Sequence, residues 1–276
     1  MRSNANLNQL SKPLRRKPLR HGALFLTSYA VMAFIYLPII TIAVYAFTVD
    51  DITFAFPPSG YTTHWFYVAF ARNDMWLALW LSVKVALLSS LVAMPLGTLA
   101  AIALTRLDYK RKDLITTLFV LPIALPGILT GLAFLNSFRG LGLHPGMLTI
   151  IIGHATFCIV VVYNNVVARL RRIPWSMVEA SLDLGANYWQ TFYYVIFPHL
   201  RSALLAGGLL AFALSFDEVI VTLFTAGSEK TLPIWIFNEL FRPRERPVTN
   251  VVALVVMVLT FIPVVLAYRL GNDEKN

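Results

Sequence analysis

The amino-acid sequence predicts an all-α integral membrane protein. Of its 276 residues, 58% are hydrophobic and only 13% are charged, whereas soluble domains carry about 25% charged residues. Apolar runs long enough to cross a membrane as helices, about 20 residues each, recur six times, at residues 23–47, 76–104, 114–136, 147–168, 202–224 and 248–268. Each run is continuously apolar rather than alternating, which favours helices over the strands of a membrane barrel.

The first apolar run follows a basic segment, in the manner of a secretory signal. It is about twice as long as the apolar core of such a signal and lacks a clear cleavage site of small residues, so we predict that it is retained as a membrane anchor. The predicted organisation is a basic cytoplasmic tail at 1–22, a six-helix transmembrane domain at 23–270 and a C-terminal tail at 271–276.

The distribution of Lys and Arg predicts that both termini are cytoplasmic. With the N-terminus inside, the inside segments carry 16 of these residues and the outside segments carry 6, in agreement with the positive-inside rule. Topology therefore explains the net charge of +9, and a nucleic-acid partner is not expected. The last outside loop fits the positive-inside rule worst, because it holds four basic residues: Lys230, Arg242, Arg244 and Arg246. Glutamates in the same loop offset part of this charge.

Proline and glycine interrupt several of the apolar runs. Pro38 lies in the first run and Pro95 in the second, and the third contains "LPIALPGILTG" at 121–131. Each proline removes a backbone donor, so we predict bends at these places. Ordinary kinks and close helix packing are the alternative to a functional role. The outside segment "PPSGYTTHWFYVAF" predicts a short interfacial helix, and "LPIWIFNEL", which is too short to span, predicts an interfacial or re-entrant piece. Trp235 is predicted as an interface anchor, and the alternative is that it lines an entrance.

Several classes of chemistry lack a motif in this sequence. There is no phosphate-binding G-x-x-x-x-G-K-[ST], no H-E-x-x-H, no C-x-x-C and no G-x-S-x-G. We therefore predict no catalytic residues, and any nucleotide-driven engine must be another polypeptide. His154 and Cys158 have metal-ligand spacing on one helical face, but two ligands make a weak site. Helix packing is the alternative, and no metal site is predicted.

The segment 174–198, on the predicted cytoplasmic side, mixes charged, small and aromatic residues. Pro174 suits a helix start, and Glu179 would lie near the N-terminal turns of that helix, where negative charge is favoured. Small residues, Ala180, Ser181 and Gly185, would let another protein approach closely, and Pro198 would end the segment before the fifth span. The alternative is an amphipathic connector on the lipid surface, because the segment is rich in aromatic residues.

This segment resembles the cytoplasmic EAA loop of the permease subunits of bacterial ABC importers. The matching positions keep the spacing of the family, with Ser, Val and Phe in place of the usual Ala, Ile and Leu: Glu179, Ala180, Ser181, Gly185, Val195, Phe197 and Pro198. Three further stretches resemble permeases of the polyamine importer branch, "SLVAMPLGTLAAIALTR", "LPIALPGILTGLAF" and "ALSFDEVIVTLFTAG".

The resemblance implies a type I ABC importer permease in the bacterial inner membrane, moving a polyamine such as putrescine or spermidine inward. It implies three partners: a second permease subunit, usually a paralogue, a dimer of cytoplasmic ATPases and an external substrate-binding protein. The EAA loop would seat in a groove of the ATPase, which would hold the ATP and Mg, so this chain needs no cofactor. The alternatives are an autonomous carrier or channel and, less favoured for want of a nucleophile, an intramembrane enzyme.

Three charged residues fall within the predicted spans. Asp217 and Glu218 in the fifth run and Lys84 in the second lie at similar depths, about 10 and 12 Å below the outer boundary. A charge at the centre of a span costs about 2.5 to 3.5 kcal/mol, so three interpretations are open. One acid pairs with Lys84, one faces the pathway and contacts a cationic substrate, or the side chains snorkel to the interface. Successive helical residues point about 100° apart, so only one acid can face the pathway.

Overall fold

The structure, a computed structural model, describes residues 19–50, 56–106, 112–242 and 245–273. Within these ranges the chain is almost entirely helical. The helices are α1 (Leu19–Tyr45), α2 (His64–Ala71), α3 (Asn73–Arg106), α4 (Lys112–Ala124), α5 (Gly127–Gly140), α6 (Met147–Leu170), α7 (Trp175–Asp183), α8 (Tyr188–Thr191), α9 (Phe197–Phe216), α10 (Ile220–Thr225), α11 (Leu232–Leu240) and α12 (Arg246–Asp273), with a π-helical turn at Phe192–Ile196. Most of the predicted basic tail at 1–22, and residues 274–276, lie outside the described residues.

The chain divides into two compact units, Met1–Val68 with Pro243–Asn276, and Ala69–Arg242. In the first unit α1 packs on α12, and the indole of Trp65 donates to the carbonyl of Thr48 at 2.8 Å. This bond ties the start of α2 to the chain that follows α1.

In the second unit α3, α6 and α9 pack against one another. Glycine permits the closest approach, because a Cβ added at Gly97 of α3 would lie 2.8 Å from the carbonyl oxygen of Ile159 in α6. Small residues at such contacts are the usual means by which membrane helices pack closely. Pro95 stays inside one continuous helix, α3. The core of the unit includes apolar side chains from all three helices, among them Ala93, Val162, Val166, Leu200 and Ala211.

Four helical stretches among the described residues are long and apolar enough to cross a membrane, Leu24–Tyr45, Asn73–Thr105, Met147–Leu170 and Tyr188–Phe216. The bent pair of α4 and α5 makes a fifth if it crosses as one span. In α12 the described apolar part is shorter, Arg246–Thr260. The all-α membrane fold is therefore confirmed, whereas six crossings and two cytoplasmic termini stay predictions.

The third apolar run, predicted as one bent span over 114–136, is divided into two separate helices. α4 and α5 meet at an angle of 97°, and the break falls at Leu125 and Pro126 inside the predicted run of helix breakers. Pro126 has no amide hydrogen and an extended ψ of 130°, and it directly precedes α5. A proline is tolerated there, because the N–H groups at the start of a helix have no intrahelical acceptor and a missing N–H therefore breaks no helical bond.

The prediction that Trp235 anchors the protein at the interface is wrong. Its side chain is buried, its indole nitrogen donates to Asp74 at 2.8 Å, and the guanidinium of Arg72 lies 4.9 Å from its ring. Arg72 also binds Glu239 at 2.8 Å, and hydrogen bonds to Asp74 and then Glu239 raise its pKa above the ordinary value, against the lowering effect of burial. This cluster joins the start of α3 to α11 and accounts for some charges of the poorly fitting outside loop.

Candidate coupling loop and substrate site

The predicted coupling segment, 174–198, begins with the short helix α7. Pro174 is the N-cap in an extended conformation. Val178 is buried and Leu182 is half-buried, and both pack on the core of the second unit, whereas Glu179 and Ala180 point away from it and are exposed. Glu179 is the fifth of nine residues and lies just beyond the first turn, so its predicted effect on the helix N-terminus stays a prediction. It lies on the free face of the helix.

Gly185 ends α7 in a conformation that favours glycine. Its φ is +87°, and two backbone bonds close the helix, from Ala186 to the carbonyl of Ser181 at 3.1 Å and from Gly185 to that of Leu182 at 2.9 Å. These bonds define a Schellman motif. A Cβ at Gly185 would meet nothing within 4 Å, so within this chain the glycine serves the turn. Its use for close approach by a partner stays a prediction.

Side-chain hydrogen bonds then fix α8 against α7. The backbone amide of Gln190 donates to the side chain of Asn187 at 2.9 Å, and the amide of Asn187 donates to the side chain of Gln190, also at 2.9 Å. This reciprocal pair is a capping box. The hydroxyls of Ser181 and Thr191 lie 3.1 Å apart, which links the two helices. Ser181 therefore faces inward and binds within the segment.

Pro198 does not end the segment, contrary to prediction. It is the second residue of α9, and the stretch Tyr188–Phe216 is helical throughout, through the π-helical turn Phe192–Ile196. Pro198 cannot donate a backbone hydrogen bond to the preceding turn, and the π-helical turn lies directly before it. The coupling segment therefore continues into the long helix α9 without a flexible joint.

The outward face of the coupling segment is apolar and aromatic. Leu184 is 88% exposed and Trp189 is 81% exposed, and further exposed side chains are those of Met177, Tyr188, Tyr193 and Tyr194. Exposed apolar groups that cluster with a few charges mark a protein or membrane interaction site. The predicted coupling residues Glu179, Ala180 and Gly185 are all exposed within this segment.

The two predicted pathway acids lie at a break in the helix. α9 ends at Phe216 and α10 begins at Ile220, so the expected continuous span over 202–224 is wrong at this place. Asp217 is exposed and Glu218 is half-buried. One carboxylate oxygen of Glu218 accepts a hydrogen bond from the amide of Val221 at 2.9 Å, which satisfies a donor at the start of α10.

The predicted pair of Lys84 with one of these acids is not formed. Lys84 is exposed, and its ammonium lies 5.4 Å from the ring centroid of Trp80. Ion pairs among the described residues include those of Arg72 with Asp74 and Glu239 and that of Arg242 with Glu239. Neither Asp217 nor Glu218 therefore forms an ion pair with Lys84 of α3. The interpretation that one of the two acids faces the pathway stays a prediction.

Sequence reasoning missed the polar network that holds this break. His154 of α6 is fully buried, and its ring nitrogens lie 2.8 Å from the hydroxyl of Ser215 and 2.9 Å from that of Thr222. Thr222 also donates to the carbonyl of Glu218 at 2.7 Å. His154 thus joins α6 to both sides of the break. The sequence signal for this network was a histidine within an apolar helix, together with hydroxyl side chains on both sides of the acidic pair Asp217 and Glu218.

The same network explains the spacing of His154 and Cys158 without a metal. Both ring nitrogens of His154 bind hydroxyls, and the thiol of Cys158 lies 3.3 Å from the carbonyl oxygen of Ala211 in α9. Both side chains therefore serve the packing of α6 on α9, which was the alternative to metal binding.

Glycines of the bent pair position α10. A Cβ at Gly131 of α5 would lie 2.4 Å from the ring of Phe224, and one at Gly127 would lie 3.2 Å from Ile220. A larger residue at Gly131 would displace that ring. The glycines of "PGILTG" therefore allow α5 to contact α10, directly after the two acids.

We expect that replacing His154 with leucine lowers the free energy of unfolding by about 1 kcal/mol, because Ser215 loses its partner in an apolar interior and buried hydrogen bonds in membrane helices are worth about 0.6 to 1.7 kcal/mol. Denaturation in detergent micelles measures this change. His144→Leu is the control, since His144 is exposed. Equal stability of the two variants would show that the network contributes nothing.

Comparisons with known proteins agree with this geometry. The profile of the family described as "Binding-protein-dependent transport system inner membrane component" matches residues 93–273, which include the coupling segment and both acids. The chain belongs to this family. It is an inner-membrane permease component of a transport system, and its relatives are transport permeases rather than enzymes.

This permease is similar to two relatives over most of its length. It is 30% identical over 272 residues to the putrescine transport system permease protein PotI of Escherichia coli (strain K12), with 95% of this chain and 94% of the relative covered. It is 29% identical over 246 residues to the spermidine/putrescine transport system permease protein PotC of the same strain, with 89% and 92% covered. The permease is therefore homologous to polyamine permeases.

A solved structure shows the same fold. A chain of a bacterial ABC transporter involved in the import of the acidic polysaccharide alginate matches with a TM-score of 0.68 and 16% identity, covering 95% of this permease and 99% of that chain. The identity is too low to carry more than architecture. The predicted ABC importer permease fold is confirmed.

Proposed function

We propose that this chain is one of two permease subunits of an ATP-driven importer that moves a polyamine, such as putrescine or spermidine, into the bacterial cytoplasm. The second permease is a paralogue, a dimer of cytoplasmic ATPases supplies the energy, and an external substrate-binding protein delivers the solute. ATP and Mg belong to the ATPase, and this chain binds no cofactor. Both termini are cytoplasmic, and six helices cross the membrane.

The observation that carries the proposal is the coupling segment. Its inner face packs on the core through Val178 and Leu182, its outer face leaves Glu179 and Ala180 exposed, and it runs directly into α9. A motor that grips the outer face can move α9 as a rigid lever, since coupling needs a physically continuous element with two positions.

The substrate class rests on the acids at the break and on the named substrates of PotI and PotC. Glu218 uses one carboxylate oxygen to cap α10, and the other is available to an ammonium group. An acid in a membrane helix usually serves a substrate path when no neighbouring cation pairs with it. Polyamines carry ammonium groups, which such a carboxylate binds through charge-assisted hydrogen bonds.

Reconstitution in proteoliposomes tests the proposal. Radiolabelled putrescine and spermidine should accumulate only when the permease pair, the ATPase and the substrate-binding protein are all present with ATP and Mg. Omission of the ATPase should stop accumulation, because the motifs for nucleotide binding are missing from this chain. Uptake by this chain alone without ATP would overturn the proposal in favour of an autonomous carrier.

A further inference from the structure

A basic cavity lies between α6 and α9, away from the two acids. It has a volume of about 230 Å³, is shallow and largely open to the surface, and is lined by Asn165, Ala168, Arg169, Arg172, Ser202 and Ala203. Two of the lining residues are arginines, one is a serine, and none is a carboxylate. Arg169 and Arg172 follow the predicted fourth span, so the cavity lies at the end of α6 that the distribution of Lys and Arg places at the cytoplasmic membrane surface.

The two arginines are presented differently. The Nε of Arg169 donates to the carbonyl of His199 at 2.8 Å, which fixes its guanidinium against the start of α9 while the residue lines the cavity. The guanidinium of Arg172 makes no hydrogen bond or ion pair to the residues that the structure describes. The cavity thus holds one positioned and one adaptable guanidinium, and both donate planar pairs of N–H groups that match phosphate oxygens.

Packing alone does not explain this arrangement. The carboxyl end of α6 favours positive charge, because unpaired carbonyl groups carry partial negative charge there. That effect acts on Arg171 as well, which does not line the cavity. The charge preference at the end of α6 therefore does not explain why two arginines and a hydroxyl line the same cavity between two helices.

We propose that this cavity binds a phosphate group, as an anionic phospholipid presents it in the cytoplasmic leaflet. Basic pockets between membrane helices on the cytoplasmic side bind anionic head groups, and the predicted topology puts this cavity at the cytoplasmic end of α6. The site would fasten α6 to α9 at the end from which the coupling segment emerges, and it does not depend on which solute the permease moves.

Lipid binding to the full-length chain, extracted in the assembly in which it resides, tests the proposal. Native mass spectrometry titrates the delipidated protein with phosphatidylglycerol, with phosphatidylcholine, and separately with inorganic phosphate. Arg172→Gln should weaken binding of phosphatidylglycerol about tenfold, the effect of one lost charged hydrogen bond. Arg171→Gln is the matched control, because Arg171 is the neighbour of Arg172 in the chain but does not line the cavity, and this variant should bind as the unchanged chain does.

The outcomes separate the sources of the phosphate. If Arg172→Gln weakens the binding of phosphatidylglycerol, the site binds lipid. If it weakens the binding of inorganic phosphate but not that of phosphatidylglycerol, the site binds a free anion. Arg172→Lys keeps the charge and should retain part of the affinity, which shows that the loss in Arg172→Gln is not misfolding. If Arg172→Gln and Arg171→Gln bind both probes equally, no phosphate site exists in this cavity.

Discussion

Replacement of Gly185 with valine should reduce ATP-driven uptake by about a hundredfold, the upper range of coupling energies between two sites. Valine at a φ of +87° costs about 1 to 2 kcal/mol in backbone strain, and relief of that strain would reopen the turn between α7 and α8. The outer face of α7 would then no longer be held in register with α9. Uptake of radiolabelled putrescine, with membrane insertion measured in parallel, checks this result.

Gly142 offers a matched control for backbone strain. It has a φ of +70°, and a Cβ there would meet nothing within 4 Å. The amide of Leu143 donates to the carbonyl of Phe138 and that of Gly142 to Arg139, so the turn after α5 is the same Schellman motif. Gly142→Val should keep most of the uptake. Gly185→Asn should take up more substrate than Gly185→Val does, since Asn tolerates this backbone conformation. Equal loss in both valine variants would contradict a coupling role for Gly185.

Glu218→Gln should raise the KM for a polyamine by about tenfold or more, because a hydrogen bond to a charged partner is worth about 1.5 to 3 kcal/mol. Glutamine keeps an oxygen that can accept from the amide of Val221, as Glu218 does. The change therefore removes the charge while the cap of α10 survives. Asp217→Asn should have a smaller effect, because Asp217 is exposed and lies outside that hydrogen bond.

Initial uptake rates over a range of spermidine concentrations separate KM from the maximal rate. Glu229→Gln is a suitable control, since Glu229 is exposed and lies beyond α10. Should Glu218→Gln and Asp217→Asn both transport as the unchanged chain does, neither acid contacts the substrate, and the site must be sought elsewhere on the pathway.

Local sequence signals predicted the parts of the fold that local chemistry determines. Long apolar runs gave the helical class and three of the long spans, and the prolines of "LPIALPGILTG" predicted a bend in the third run, where the structure has a break at Pro126 but not at Pro122. The spacing of Glu179, Gly185 and Pro198 marked the segment that we propose as the coupling segment. Each of these features depends on residues that are neighbours along the chain.

Other features depend on contacts between distant residues and had no comparable signal. The break after Phe216 carries neither proline nor glycine, and it is held by His154, about 60 residues earlier in the chain, through Ser215 and Thr222. Trp235 is buried because Arg72 and Asp74 reach it from the start of α3. Pro198 predicted a stop, but a π-helical turn accommodates it within one helical path.

The proposed function requires a separate ATPase to bind the outer face of α7. This chain has a single cysteine, Cys158, which is buried, so an added cysteine is the only accessible thiol that this chain contributes to the assembly. Ala180→Cys, in the active assembly with a thiol-to-amine cross-linker, should join this chain to the ATPase, whereas Ser228→Cys on the predicted outer side should not. If Ala180→Cys labels with a soluble maleimide in the active assembly and forms no product with the ATPase, the coupling role of this segment is contradicted.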